Sequence, residues 1–183
     1  MSWIPPFIAV WEKISSSSKI LTWLYSKPYR RIIENEINLA KINQDDVIVN
    51  IGCGAVPFTA LYLATLTGAR VHAIDMDCKA ARLAENCVKK SGLAHRITVH
   101  RGDGSKPFNA SFTASIVALQ AAPKKKILNA LQQSALPGAR FIFRLPSYPY
   151  KDHYDCLTTS QPVKSVAAQP MRTFDRSVLY VNQ

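Results

Sequence analysis

Two glycines and two carboxylates stand where a nucleoside could be held. Gly52-Cys53-Gly54-Ala55-Val56-Pro57 follows the apolar run Val47-Ile48-Val49-Asn50-Ile51, and Asp75 closes the next run, Val71-His72-Ala73-Ile74. Glycines lack a Cβ, so backbone at Gly52 and Gly54 can turn sharply and approach a ligand, while a helix opening directly afterwards aims its free N–H groups into the same space. A carboxylate at the tip of the neighbouring strand, roughly 20 residues on, accepts both hydroxyls of a ribose. Asp75 stands there, followed by Met76. The third run, Arg96-Ile97-Thr98-Val99-His100, is closed by Arg101-Gly102-Asp103-Gly104, which puts Asp103 where an adenine amine would donate. Leu119 ends a fourth run. An Asp beside glycine is a common turn taken singly, but three aligned strand ends imply an adenosine-type cofactor bound by Gly52, Cys53, Gly54, Asp75, Met76, Asp103, Gly104 and Leu119.

The turn discriminates among such cofactors. The third glycine of the dinucleotide fingerprint is missing, and Val56-Pro57 occupies the place near it. A pyrophosphate needs close, unobstructed backbone, so NAD is disfavoured. Pro57 suits the first turn of a helix, and S-adenosylmethionine, which has no phosphate, tolerates this turn. The fourth strand ends in Leu119-Gln120-Ala121-Ala122-Pro123 and lacks the Asn/Asp-Pro-Pro-aromatic motif that grips a flipped base. Methylation of a nucleobase amine is thereby disfavoured.

These anchors require a particular arrangement of elements. Strands are expected near 47–50, 71–74, 98–100, 115–119 and 141–144, alternating with helices near 57–66, 79–90 and 124–133; an amino-terminal helix covers 20–39. Such alternation implies an α/β fold with a doubly wound, mostly parallel, Rossmann-like sheet. Pro137-Gly138 reads as the turn into the fifth strand, and Ser177-Val178-Leu179-Tyr180-Val181 as a strand returning antiparallel. With 183 residues, 48% of them hydrophobic, the chain suffices for one core. Residues 1–40 are expected to form a helical segment or lid, and 41–183 the cofactor-binding unit.

Composition narrows the setting. Cys53, Cys78, Cys87 and Cys156 form no Cys-x-x-Cys pair and no metal-ligand spacing with histidine, so they read as reduced thiols of a cytoplasmic protein, with no metal. The apolar stretch Trp3 to Trp11 is short, holds two prolines and lacks a basic leader, which fits neither a signal peptide nor a membrane span. A net charge of +11 invites acidic small molecules or RNA, yet the cations are dispersed. Lys124-Lys125-Lys126 opens a helix, where positive charge opposes the macrodipole by about 0.3–1 kcal/mol each; a functional placement and a fully solvated run both stand as readings. A homodimer is left open.

Several of these stretches together resemble the nicotianamine synthase family and its shorter microbial relatives, within the class I S-adenosylmethionine-dependent methyltransferase fold. They are Glu34-Asn35-Glu36, the turn Gly52-Cys53-Gly54-Ala55-Val56-Pro57-Phe58-Thr59, Ala121-Ala122-Pro123-Lys124-Lys125-Lys126 and Phe141-Ile142-Phe143-Arg144. The resemblance implies transfer of a 3-amino-3-carboxypropyl group, not methyl, to an amine of a small acceptor, leaving methylthioadenosine. It also implies a glutamate ahead of the first strand that takes the amine's proton: Glu36, with Glu34 as the fallback. For any single Glu the plain alternative is an exposed helix carboxylate. Tyr29, Tyr148, Tyr150, His153 and Tyr154 are candidates to complete the pocket, although aromatic residues in such loops more often only pack. Compared with that family the chain lacks much of an amino-terminal helical region, which speaks against polymerising several units. A methyltransferase acting on a small molecule or RNA, and a non-catalytic cofactor-binding module, remain alternatives built on the same anchors.

Overall fold

The computed structural model describes residues 19–183; the apolar Trp3 to Trp11 stretch lies outside them. The elements are α1 (Lys19–Ala40), β1 (Val47–Ile51), α2 (Phe58–Thr67), β2 (Arg70–Asp75), α3 (Cys78–Ser91), β3 (Ile97–Arg101), β4 (Phe112–Val117), α4 (Lys124–Ser134), β5 (Ala135–Pro146), β6 (Ser165–Ala168) and β7 (Phe174–Val181). Seven strands form one sheet in the order β3-β2-β1-β4-β5-β7-β6. The first five in chain order run parallel, and β7 lies antiparallel to both β5 and β6. This is the doubly wound α/β fold the strand–helix alternation implies, and the antiparallel return of the tail holds.

Strand order reverses between β1 and β4, which opens a crevice at the carboxyl ends of these strands. The near-continuous apolar strands are buried on both faces, as a parallel sheet demands. One face is covered by α1, α2 and α3 through residues such as Ile32, Ile33, Leu63, Ala84 and Val88. The other is covered by α4 through Ile127, Leu128 and Leu131. No helix joins β3 to β4. There Phe108 lies against His72 and His100, with ring centroids 5.1 and 5.4 Å away, and His72 Nδ1 is 3.0 Å from His100 Nε2.

Helix α1 is built into this body along its described side chains. Ile32, Ile33 and Ala40 belong to the first core. At its carboxyl end Lys41 takes φ +51, Ile42 N–H reaches back to the Ile37 carbonyl at 3.0 Å, and the pattern is a left-handed helix stop. The Ala40 and Lys41 carbonyls then accept from Arg140 Nη1 of β5 at 2.9 and 3.2 Å. Arg140 also pairs with buried Asp46, which accepts from Thr113 Oγ1 at 2.6 Å. Three features differ from the sequence reading. The fourth strand runs over Phe112–Val117 and stops short of Leu119. Pro137-Gly138 lies within β5, whose Ala135 already pairs with Phe112, and β6 was not anticipated.

Candidate active site

The glycine turn closes the end of β1. Gly52 and Gly54 have φ +77 and +70, a region that side chains rarely enter. Gly52 and Cys53 donate to the Ile74 carbonyl of β2 at 2.8 and 3.1 Å, and Gly54 N–H donates to Asp75 Oδ2 at 2.7 Å. Asp75 Oδ1 accepts from Asp77 N–H at 3.0 Å. Asp77 in turn caps α3, accepting from Lys79 and Ala80 at 2.7 and 3.0 Å. Asp75 is therefore fixed by backbone on both sides before any ligand arrives. Pro57 sits just ahead of α2, which begins at Phe58.

Asp103 occupies the tip beyond β3. Ser105 N–H and Oγ donate to its Oδ1 at 2.9 and 2.7 Å, and these bonds, with Lys106 and Lys126 nearby, hold its carboxyl below the usual range. Gly104 is required by packing: a Cβ there would lie 2.4 Å from Ile51 Cγ2. Cys53 is buried, and burial, reinforced by the Asp75 charge, pushes its thiol up to about 12. It lines the turn as an uncharged group. Leu119 is buried and Met76 is exposed.

A second constellation adjoins the turn through Thr59, in the first turn of α2. Arg144, near the end of β5, donates from Nε to Glu36 Oε1 and from Nη2 to Glu36 Oε2, both at 2.8 Å. Its Nη2 also reaches Thr59 Oγ1 at 3.1 Å, and Nη1 reaches the Tyr29 hydroxyl at 2.6 Å. Ser177 Oγ of β7 donates to Glu36 Oε1 at 2.7 Å, and Gln169 Nε2 donates to Ser177 at 3.0 Å. Burial alone would lower the guanidinium's pKa, yet the Glu36 charge and the Tyr29 hydroxyl raise it, so Arg144 stays cationic. Glu36, Thr59, Arg144, Ser177 and Gln169 are all buried; Tyr29 is the half-buried member.

This placement corrects the plain reading of Glu36 as an exposed helix carboxylate, since it is 0% exposed and each oxygen has a partner. Glu34 is turned to the outer face and pairs with Arg30 at 2.7 Å. Of the aromatic candidates, Tyr29 alone joins the cluster. Tyr148 is 77% exposed with Lys151 Nζ 4.6 Å from its ring centre, His153 lies beside Tyr150, and Tyr154 packs on the first core. Sequence reasoning missed Arg144, Ser177 and Lys124. Lys124 is a correction to the solvated lysine run: its side chain is fully buried, and only Lys125 and Lys126 are exposed. No group of three or more metal-ligating side chains occurs among the described residues.

Comparison with known proteins places the fold and the family. A crystal structure of MtNAS in complex with MTA and tNA superposes with a TM-score of 0.80 at 19% identity, covering 94% of this chain and 68% of that one. An RNA methyltransferase from Salinibacter ruber in complex with S-adenosyl-L-homocysteine superposes with a TM-score of 0.65 at 16% identity, covering 83% and 90%. At such identities the likeness establishes the fold. An L-histidine 2-aminobutanoyltransferase from Yersinia pestis is 29% identical over 158 residues, 81% of this chain and 59% of the relative. Nicotianamine synthase 2 of Arabidopsis thaliana is 31% identical over 103 residues, 51% of this chain and 32% of the relative. The chain thus spans about three fifths or less of these curated relatives' lengths. The family model for nicotianamine synthase protein matches residues 14–162, a span that takes in the glycine turn, Glu36 and Arg144 alike, and the chain belongs to that family.

Proposed function

We propose that this protein is an S-adenosylmethionine-dependent transferase that moves a 3-amino-3-carboxypropyl group to the amine of a small acceptor. The acceptor nitrogen attacks the methylene carbon attached to the sulfonium, the carbon–sulfur bond breaks with its electron pair going to sulfur, and methylthioadenosine leaves as a neutral thioether. The amine gives up one proton. Each carbon on a sulfonium is activated, so the product depends on which one the pocket holds in line with the nucleophile.

The observation that carries this reading is the buried Glu36–Arg144 pair locked to Thr59 at the mouth of the glycine turn. Asp75 and Asp103 hold the nucleoside, and the cluster bounds the end where the amino-acid part of the cofactor lies. Within it the half-buried Tyr29 hydroxyl is the group an acceptor amine meets, and Glu36 supplies the negative charge that fixes Arg144 and, through it, Tyr29. Glu36 as direct proton acceptor is the competing assignment; it requires the acceptor to displace Arg144 or Ser177. Glu34, paired outward with Arg30, has no part in it.

A second reading, methyl transfer to a small molecule or RNA, is favoured by the positive charge of +11 and by the fold shared with RNA methyltransferases. The spent cofactor separates the two. Incubation of the protein with S-adenosylmethionine and candidate amino acids, read by mass spectrometry, is expected to yield methylthioadenosine and an acceptor heavier by one aminocarboxypropyl group. S-adenosylhomocysteine in its place would move the protein to the methyltransferases. Four free cysteines fit a cytoplasmic location, and no helix among the described residues is long and apolar enough to cross a membrane.

A further inference from the structure

Lys124 is the first residue of α4, and it is 0% exposed. Its Nζ donates to the Leu119 carbonyl at 2.7 Å and to the Ala121 carbonyl at 3.0 Å. Both carbonyls belong to the segment that leaves β4 beside the glycine turn. A Cβ placed on Gly52 would lie 3.2 Å from Ala118 Cβ and 3.5 Å from Ala121 Cβ, so this segment is seated directly on the turn. Ala118 N–H donates to the Ile51 carbonyl at 3.0 Å, joining the tips of β4 and β1. The backbone N–H of Lys124 donates to Asp155 Oδ2, which brings the loop after β5 to the same point.

Nothing in packing explains a lysine here. A methionine fills similar space without the desolvation of an ammonium, and a cation at a helix start opposes the macrodipole. What lysine adds is several donors on one atom, aimed at two carbonyls that would otherwise be free to turn. We propose that Lys124 is a positioning residue for the nucleoside cleft: its ammonium gathers the Leu119 and Ala121 carbonyls and so holds residues 118–121 against Gly52. A cleft shaped in advance loses less entropy on binding. This rests on the reading of the glycine turn as the S-adenosylmethionine site.

Calorimetric titration with S-adenosylmethionine, well below the melting temperature, tests it on wild type, Lys124→Met, Lys124→Arg and Asp75→Ala. Lys124→Met is expected to bind on the order of 10- to 100-fold more weakly, and Lys124→Arg, which restores the donors, to recover most of that loss. A residue important only for stability would lower the melting temperature and leave this affinity unchanged. A folded Lys124→Met protein binding like wild type overturns the positioning role while leaving the cleft intact. If wild type does not bind, or Asp75→Ala binds like wild type, the cleft reading itself falls and takes the positioning role with it. Should Lys124→Met fail to fold, Lys124→Leu, shorter and likewise without a donor, carries the test: weaker binding supports the role of the ammonium, and unchanged binding overturns it.

Discussion

Arg144 keeps its charge at 2% exposure because Glu36 offers it two parallel hydrogen bonds, and removing either partner strands the other. Glu36→Gln is therefore expected to lower folding stability by about 3–5 kcal/mol, seen as a fall in the denaturant midpoint, together with lost turnover. Tyr29→Phe separates the two effects, since it deletes a half-buried hydroxyl and leaves the ion pair whole. Its turnover is expected to drop on the order of 10²-fold or more, with S-adenosylmethionine affinity close to wild type. Single-turnover kinetics beside calorimetry check this, and unchanged turnover would remove Tyr29 from contact with the acceptor. The glycine turn and the strand tips at Asp75 and Asp103 were legible because a glycine at positive φ and a carboxylate at a strand tip are local requirements. Arg144 was legible in principle. Phe141-Ile142-Phe143-Arg144-Leu145 is an apolar strand with one cation, and a buried cation demands a carboxylate. Glu36 shares its helix face with Ile32 and Ile33, whereas Glu34 shares its own with Arg30. Lys124 was not legible, because its burial depends on where the segment after β4 folds back, which no short-range pattern encodes.

Among the elements, parallel strands and their crossover helices stood out in the sequence, because buried strands are continuous apolar runs and the helices carry spaced ones. Strand β6 did not, since Ser165-Val166-Ala167-Ala168 is mostly exposed and has little to bury. The start of β5 was hidden by Pro137-Gly138; Gly138 takes φ +76 inside the strand and donates to the Asn182 carbonyl of the tail at 3.1 Å, while Ala135 pairs with Phe112 of β4. The helix-free connection from β3 to β4 leaves His72 and His100 only half-buried. Burial lowers both pKa values from 6.5, and for His72 the neighbouring His100 and Arg70 add to the effect. A folded-state pKa below the unfolded one means that the unfolded chain binds more protons in the window below about pH 6.5. Stability should accordingly fall as pH drops through that window. Denaturation midpoints measured from pH 7.5 to pH 5.5 are expected to decline, and the decline should flatten in a His72→Phe variant; an equal decline there would show that other groups are responsible.

The molecule as a whole carries +11, with its cations dispersed along the chain. Such a field draws in anions and repels cations, and added salt screens it over about 10 Å at 0.1 M. A carboxylate-bearing acceptor should therefore show a KM that rises with salt. The net-cationic cofactor should bind as well or slightly better. Steady-state kinetics across a sodium chloride series check the contrast, and parallel trends for both ligands would show that the field is not used. Beneath this field, β5 reaches across to α1 twice. Arg140 holds the carbonyls at the helix's end, and Arg144 holds Glu36 and Tyr29 further up. An apolar seam lets a helix slide by fractions of a turn as side chains change rotamer, but two directional arginine contacts from one strand do not. Helix α1 is thus indexed to the sheet like a part located by two pins, and Tyr29 inherits its distance from the cleft from the strand and not from the grease between helix and core.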